Sequence, residues 1–115
     1  MKKSKIDRLR AAGWKVGDAQ DFLGLSDEEF ALIELKFGIA DFLREAREGQ
    51  ELTQTALAKK IGSSQSRIAK MEAGDASVSL DLMFRAAFSL GISRRELGKK
   101  ITGIKRPRGS AKKAG

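Results

Sequence analysis

An all-α fold is what the sequence predicts, and three observations predict it. One proline and few β-branched runs leave little material for strands. Segments with apolar residues three and four apart recur along the chain, the periodicity of amphipathic helices. Those segments are punctuated by serines that can cap helix starts (Ser26, Ser64, Ser79, Ser93) and by glycines that can end helices (Gly13, Gly62, Gly74). With 115 residues the chain suits one domain with one modest core.

Composition narrows the chemistry. The chain has no cysteine and no histidine, so a disulfide framework, a thiolate metal site and the commonest general base are all missing. No cofactor, metal site or enzymatic activity is expected. No apolar run approaches the length of a membrane span and the first residues lack a secretory apolar segment, which predicts a cytoplasmic protein without a membrane partner. The net charge of +8 is unevenly distributed: +5 over residues 1–15, −7 over 16–51, +5 over 52–104, and five further bases over 105–115. A basic second half suits a polyanionic partner, or else is a solvated surface.

Residues 1–25 read as a helical extension. Ile6, Leu9 and Ala12 give Lys2 to Ala12 helical potential that Gly13 would stop, and Asp18 is expected to cap a turn running to Gly24. Trp14, the only tryptophan, packs this extension onto the domain or anchors a partner; the residues leave both open. Ser26-Asp27-Glu28-Glu29 is a capping box, which explains these acids better than catalysis does. The helix it starts is predicted to run to about Glu48. Apolar residues from Phe30 to Leu43 are too dense for one stripe, so the helix should face two neighbours. Gly38 inside it marks a break or a close contact, and Arg44 and Arg47 are placed to complement the helix dipole.

Leu52 to Gly74, LTQTALAKKIGSSQSRIAKMEAG, reads as two short helices joined by a sharp turn. Leu57, Ala58 and Ile61 share a face of the first, and Gly62 ends it where a side chain would clash. Ser64 caps the second, which buries Ile68 and Met71 and stops at Gly74. The spacing of Gln54, Ala58, Gly62 and Ile68 is that of a helix-turn-helix, with Leu57, Ala58, Gly62, Ile68 and Met71 as its core. Ser79 then caps a helix whose inner face holds Leu82 or Met83, Ala86, Ala87 and Leu90. Phe84 and Phe88 fall on a neighbouring stripe that needs a cover. Ser93 caps a last helix to about Ile101, and residues 102–115 read as a disordered basic tail.

Gln54-x-x-Leu57-Ala58, Gly62-Ser63-Ser64-Gln65-Ser66 and Ile68-x-x-Met71-Glu72-x-Gly74 resemble the Cro/phage-repressor (XRE) family of helix-turn-helix domains. Residues 79–97 resemble that family's fourth and fifth helices. The resemblance implies a five-helix repressor-like domain over residues 26–101. It implies that Ser64, Gln65, Ser66 and Lys70 face base edges in a major groove, while Thr53, Gln54, Lys59, Lys60 and Arg67 meet phosphates. It further implies a homodimer on a palindromic double-stranded DNA operator, and so a nucleoid-associated location.

Gly13-Trp14-Lys15-Val16-Gly17, Phe22-Leu23-Gly24-Leu25 and the block from Ser64 to Asp75 also resemble small HigA-like antitoxins of toxin–antitoxin operons. That resemblance implies a repressor of its own operon with a RelE/HigB-like toxin as protein partner. A stand-alone phage-type or host XRE regulator is the alternative, and a protein-interaction adaptor without DNA binding is the second.

Overall fold

The computed structural model describes residues 16–104, and its elements are all helical among them. Six α-helices follow in order: α1 (Val16–Leu23), α2 (Asp27–Gly49), α3 (Gln54–Lys60), α4 (Gln65–Glu72), α5 (Leu80–Ser89) and α6 (Arg94–Gly103). The expected helix at Lys2 to Ala12, Trp14, and the tail from residue 105 onward lie outside the described residues.

Each start from α2 onward is capped, four of them by the serines expected to do so and α3 by Thr53, which the resemblance places only at phosphate. Ser26 Oγ accepts from the Glu29 amide while Glu29 Oε1 accepts from the Ser26 amide, the reciprocal box expected there. Thr53, Ser64 and Ser79 each accept from the amide three residues on. Ser93 forms a second capping box with Glu96. Asp18 differs from expectation: α1 already begins at Val16, so Asp18 lies inside the helix rather than at its cap.

α2 is the axis of the fold, and it faces two neighbours as its apolar density demands. Its C-terminal half sends Ile39, Ala40 and Leu43 into the main core with Leu57, Ala58, Ile68, Met71, Met83, Ala86, Ala87 and Leu97 of the following helices. Its N-terminal half sends Phe30 and Phe37 into a second cluster with Leu25, bordered by Leu23 and Ile33. Gln20 of α1 ties the extension down by donating to the Leu25 carbonyl at 3.3 Å and to Asp27 Oδ1 at 3.0 Å.

The alternatives left open at Leu82/Met83 and at Gly38 resolve simply. Both Leu82 and Met83 are buried. Gly38 is a close contact and not a break: a Cβ there would sit 2.5 Å from Cδ1 of Ile104. That contact explains why the last helix outruns its expected end. α6 continues to Gly103, and Ile104 caps it against α2, so residues 102–104 are not part of a disordered tail. Phe84 and Phe88 part company. Phe84 packs against the main core, while Phe88 remains 48% exposed.

Candidate nucleic-acid interface

The turn between α3 and α4 puts the candidate residues on one surface. Leu57 and Ala58 of α3 and Ile68 and Met71 of α4 are buried, so both helices turn their remaining faces outward. Ala58, 3% exposed, supplies the small side chain at the crossing. Gly62 takes φ +67°, a left-handed value that costs an L side chain roughly 1 kcal/mol or more, and lets the chain reverse into Ser63 and Ser64. The Ser63 amide closes the turn on the Ala58 carbonyl at 2.8 Å.

Ser64, Gln65, Ser66, Arg67 and Lys70 are all exposed on or just before α4, as are Thr53, Lys59 and Lys60 on α3. Ser64 Oγ is committed to the Arg67 amide at 3.2 Å and Thr53 Oγ1 to the Ala56 amide at 3.0 Å. Their side chains are therefore helix caps first. From Leu52 to Met71 the sequence has four cations and no acid. The next acid, Glu72, is buried and neutralised by an ion pair, so the face is cationic throughout.

That ion pair is the feature that sequence reasoning missed. Arg47 is buried at the end of α2, where it donates through Nε to Glu72 Oε2 at 2.6 Å and through Nη2 to Glu72 Oε1 at 3.0 Å. Its Nη1 donates to the Leu52 carbonyl at 2.6 Å. Arg47 is thus not a solvated dipole complement; Arg44, exposed and 3.9 Å from Asp41, is the solvated one. The hydrogen bond to Glu72 holds the Arg47 pKa above its ordinary value, against the opposing effect of burial, with the charges of Glu72 and Glu48 adding to it. A signal was present in the spacing. Arg47 lies four residues after Leu43 and Glu72 four after Ile68, so both occupy core-facing phases.

Gln54 is half-buried and extends the network outward. Its Nε2 donates to Glu72 Oε1 at 3.0 Å, and its Oε1 accepts from Gln65 Nε2 at 2.6 Å. The two glutamines expected to meet phosphate and base separately are therefore bonded to each other. Lys36 is a second buried cation the spacing concealed. It donates to the carbonyls of Ala76 at 3.1 Å and Val78 at 2.6 Å, fixing the loop after α4 onto α2. Asp75 Oδ1 shapes the same loop by accepting from the Ser77 amide and hydroxyl.

Residues 43–97 match the family model described as helix-turn-helix. The match begins in the C-terminal half of α2 and ends at Leu97, so it holds the whole α3–turn–α4 unit and most of the main core. It leaves out α1 and the second cluster. No curated protein and no solved structure matches the chain. Among the described residues, no helix is long and apolar enough to cross a membrane.

Proposed function

We propose that this chain is a sequence-specific DNA-binding transcriptional regulator acting as a repressor, with the N-terminal turn of α4 as its reading surface. The observation that carries this is the α3–α4 face itself. Its apolar side is fully buried, its outer side is polar and cationic, and it falls within the stretch that matches the helix-turn-helix model. Polar side chains at a helix start can reach base edges, while flanking cations release counterions from the phosphates. Gln65 and Lys70, with Ser64 and Ser66 beside them, are the base-facing residues in this proposal. Gln54, Thr53, Lys59, Lys60 and Arg67 face phosphate. A homodimer on a palindromic operator follows, because one module of this size buries too little surface for high specificity.

The test is selection of binding sites from a random-sequence DNA pool, followed by affinity measurements on the selected duplex. Gln65→Ala should lower discrimination at one or two base pairs by roughly 1–3 kcal/mol, whereas Lys59→Ala should weaken all sequences about equally. Affinity should fall steeply as salt rises. A protein that enriches no sequence, or whose binding ignores salt, is not this regulator.

The narrower role is that of antitoxin, the product of an operon that also encodes a RelE/HigB-like toxin. Its support is the sequence resemblance of the extension and of the α4 block. The acidic stretch from Asp27 to Glu51 would suit a basic, RNA-holding partner. Co-expression with the product of the adjoining gene tests it: the antitoxin reading requires a complex and relief of growth arrest. A chain that binds DNA but protects from nothing is a stand-alone regulator.

A further inference from the structure

The outer side of α5 carries more than a solvated polar face. Asp81, Phe84, Arg85 and Phe88 fall at positions i, i+3, i+4 and i+7, one stripe along the helix. Leu82, Met83, Ala86 and Ala87 hold the opposite side in the core. Asp81 and Arg85 are exposed, Phe84 is half-buried and Phe88 is 48% exposed. Two other large apolar side chains are exposed among the described residues, Phe22 and Leu32, and both precede the helix-turn-helix match that contains Phe88. The stripe also borders the reading unit. Arg85 Nη2 donates to the Ile61 carbonyl at 2.7 Å, one residue before Gly62 of the turn. Gln50 Nε2, at the junction of α2 and α3, donates to the Leu90 carbonyl at 2.6 Å. Along α5, Phe88 sits between those two ties.

We propose that this stripe is where a second copy of the chain docks, α5 against α5 in antiparallel register about a two-fold axis. The order along the stripe is acid, ring, base, ring, and reversing it against itself brings complements together. Arg85 of each copy then lies on the Phe84 ring of the other, a cation against an aromatic face. The second copy's Asp81 is three residues of helix rise further along, about 4.5 Å, within reach of the long Arg85 side chain. Parallel pairing would instead set Asp81 on Asp81 and Arg85 on Arg85, and an unrelated acidic or basic partner would match one charge and repel the other. The size of the stripe sets the strength of the contact. Four side chains on one short helix bury far less than the roughly 800 Å² per partner of a stable free-standing dimer. Free chains are therefore mostly monomeric, with a dimer constant on the order of 100 μM. DNA with two half-sites assembles the pair by holding both copies close. The inference rests on the homodimer proposed above and names its surface.

The experiment uses the full chain. Sedimentation equilibrium reads the dimer constant without DNA, and the selected duplex, whole or cut to one half-site, reads cooperativity. Wild type should bind the whole site more tightly than the half-site by on the order of tenfold or more. Phe88→Asp should abolish that advantage and the free dimer while half-site affinity stays within about twofold; Leu32→Asp, at a site 47% exposed, should change neither. Asp81→Arg and Arg85→Asp should each fail to self-associate, because each sets like charges across the axis. Mixed in equal amounts, the two should pair to within several-fold of wild type, since acid then meets base on both sides. Should Arg85→Asp fail to fold by circular dichroism, Phe88→Asp still decides. The α5 surface is overturned, and DNA reading stands, if Phe88→Asp keeps the wild-type dimer and whole-site advantage. A wild type with no such advantage, a submicromolar dimer constant, or a mixture no better than its components overturns it equally. If wild type selects no site, the regulator reading falls, and sedimentation of the mixed variants alone decides the stripe.

Discussion

The two halves of α2 serve different cores. From Ile39 onward the helix joins a cluster of sixteen buried side chains drawn from α2 through α6 and their loops. Before that point, Phe30 and Phe37 share a small cluster with Leu25, bordered by Leu23 and Ile33, while Leu35 still packs against the large one. The large cluster presents the α3–α4 surface, and the small one attaches α1. The helix-turn-helix match follows the same division, beginning at Leu43 and leaving the small cluster out. A surface that must hold several side chains in register stands on redundant packing and a buried ion pair. Among the described residues, α1 is held by contacts with the small cluster and by hydrogen bonds that include those from Gln20 to the Leu25 carbonyl and to Asp27.

Removing Glu72 should be the severest test of the large core. Glu72→Ala leaves the Arg47 guanidinium buried with the Leu52 carbonyl and the longer, largely exposed contact to Glu48 at 3.7 Å in place of its two short bonds to Glu72. Stranding a buried charge costs about 3–5 kcal/mol, whereas replacing both partners with apolar groups of similar size is near neutral. Urea denaturation should therefore show a large loss for Glu72→Ala, and recovery of most of it in Arg47→Met/Glu72→Leu. Loss of equal size in the double variant would mean that the pair itself, and not the avoidance of a stranded charge, stabilises the fold.

Phe30→Ala sharpens the contrast from the other side. Phe30 is 2% exposed, and truncating a buried phenylalanine costs about 3–5 kcal/mol in a well-connected core. In a small satellite cluster most of that loss should appear as local opening of α1. Amide hydrogen exchange should accelerate across residues 16–25 and stay slow in α3 and α4. Uniform acceleration would show that the two cores unfold as one.

How much of this was legible follows the same division. Ser26, Ser64, Ser79 and Ser93 announced their helices because a cap is a local bond within three residues. Leu57, Ala58, Gly62, Ile68 and Met71 announced the turn because sterics fix their spacing. Arg47 and Glu72 pair across 25 residues and Lys36 bonds carbonyls 40 and 42 residues on, so a lone charge on either helix reads as solvated even where, as for Arg47 and Glu72, its phase faces the core. The Gln54–Gln65 bond was hidden for a related reason: each glutamine has a ready role alone, and only the crossing of α3 over α4 brings them together. The end of α6 was misjudged because Thr102 and Gly103 look like tail, while the anchor that holds them, Ile104 against Gly38, spans the domain.

Two glycines allow a smaller and cleaner comparison. Gly62 and Gly74 share nearly the same left-handed backbone, φ +67° and +75°. A Cβ on Gly62 would meet nothing within 4 Å, while one on Gly74 would run into the Phe37 ring. Gly62→Ala should cost the backbone term alone, about 1 kcal/mol. Gly74→Ala should cost that plus displacement of Phe37, adding about 1–3 kcal/mol as overpacking. The excess in Gly74→Ala should also loosen α1, because Phe37 belongs to the small cluster. Equal melting temperatures for the two variants would mean that the Phe37 ring yields freely.

The smallest expected effect is a gain. Glu51 is the one non-glycine residue among those described with a positive φ, +58°, in the turn that carries α2 into α3. Its amide donates to the Glu48 carbonyl at 2.9 Å, and its neighbour Leu52 sends its amide to the Arg47 carbonyl at 3.1 Å, so the turn is held by the end of α2. The exposed carboxylate has no part in that geometry. Left-handed backbone costs an L residue roughly 1–2 kcal/mol, part of which glycine gives back through its greater freedom in the unfolded chain. Glu51→Gly should therefore stabilise by about 0.5–1 kcal/mol, read as a higher urea midpoint at unchanged slope. The same substitution deletes one acid three residues from Gln54, so affinity for DNA should rise slightly at low salt and converge with wild type at high salt. A loss of stability in Glu51→Gly would show that the turn holds its left-handed residue without strain, and that the junction between α2 and the reading unit is set by the Arg47 contacts alone.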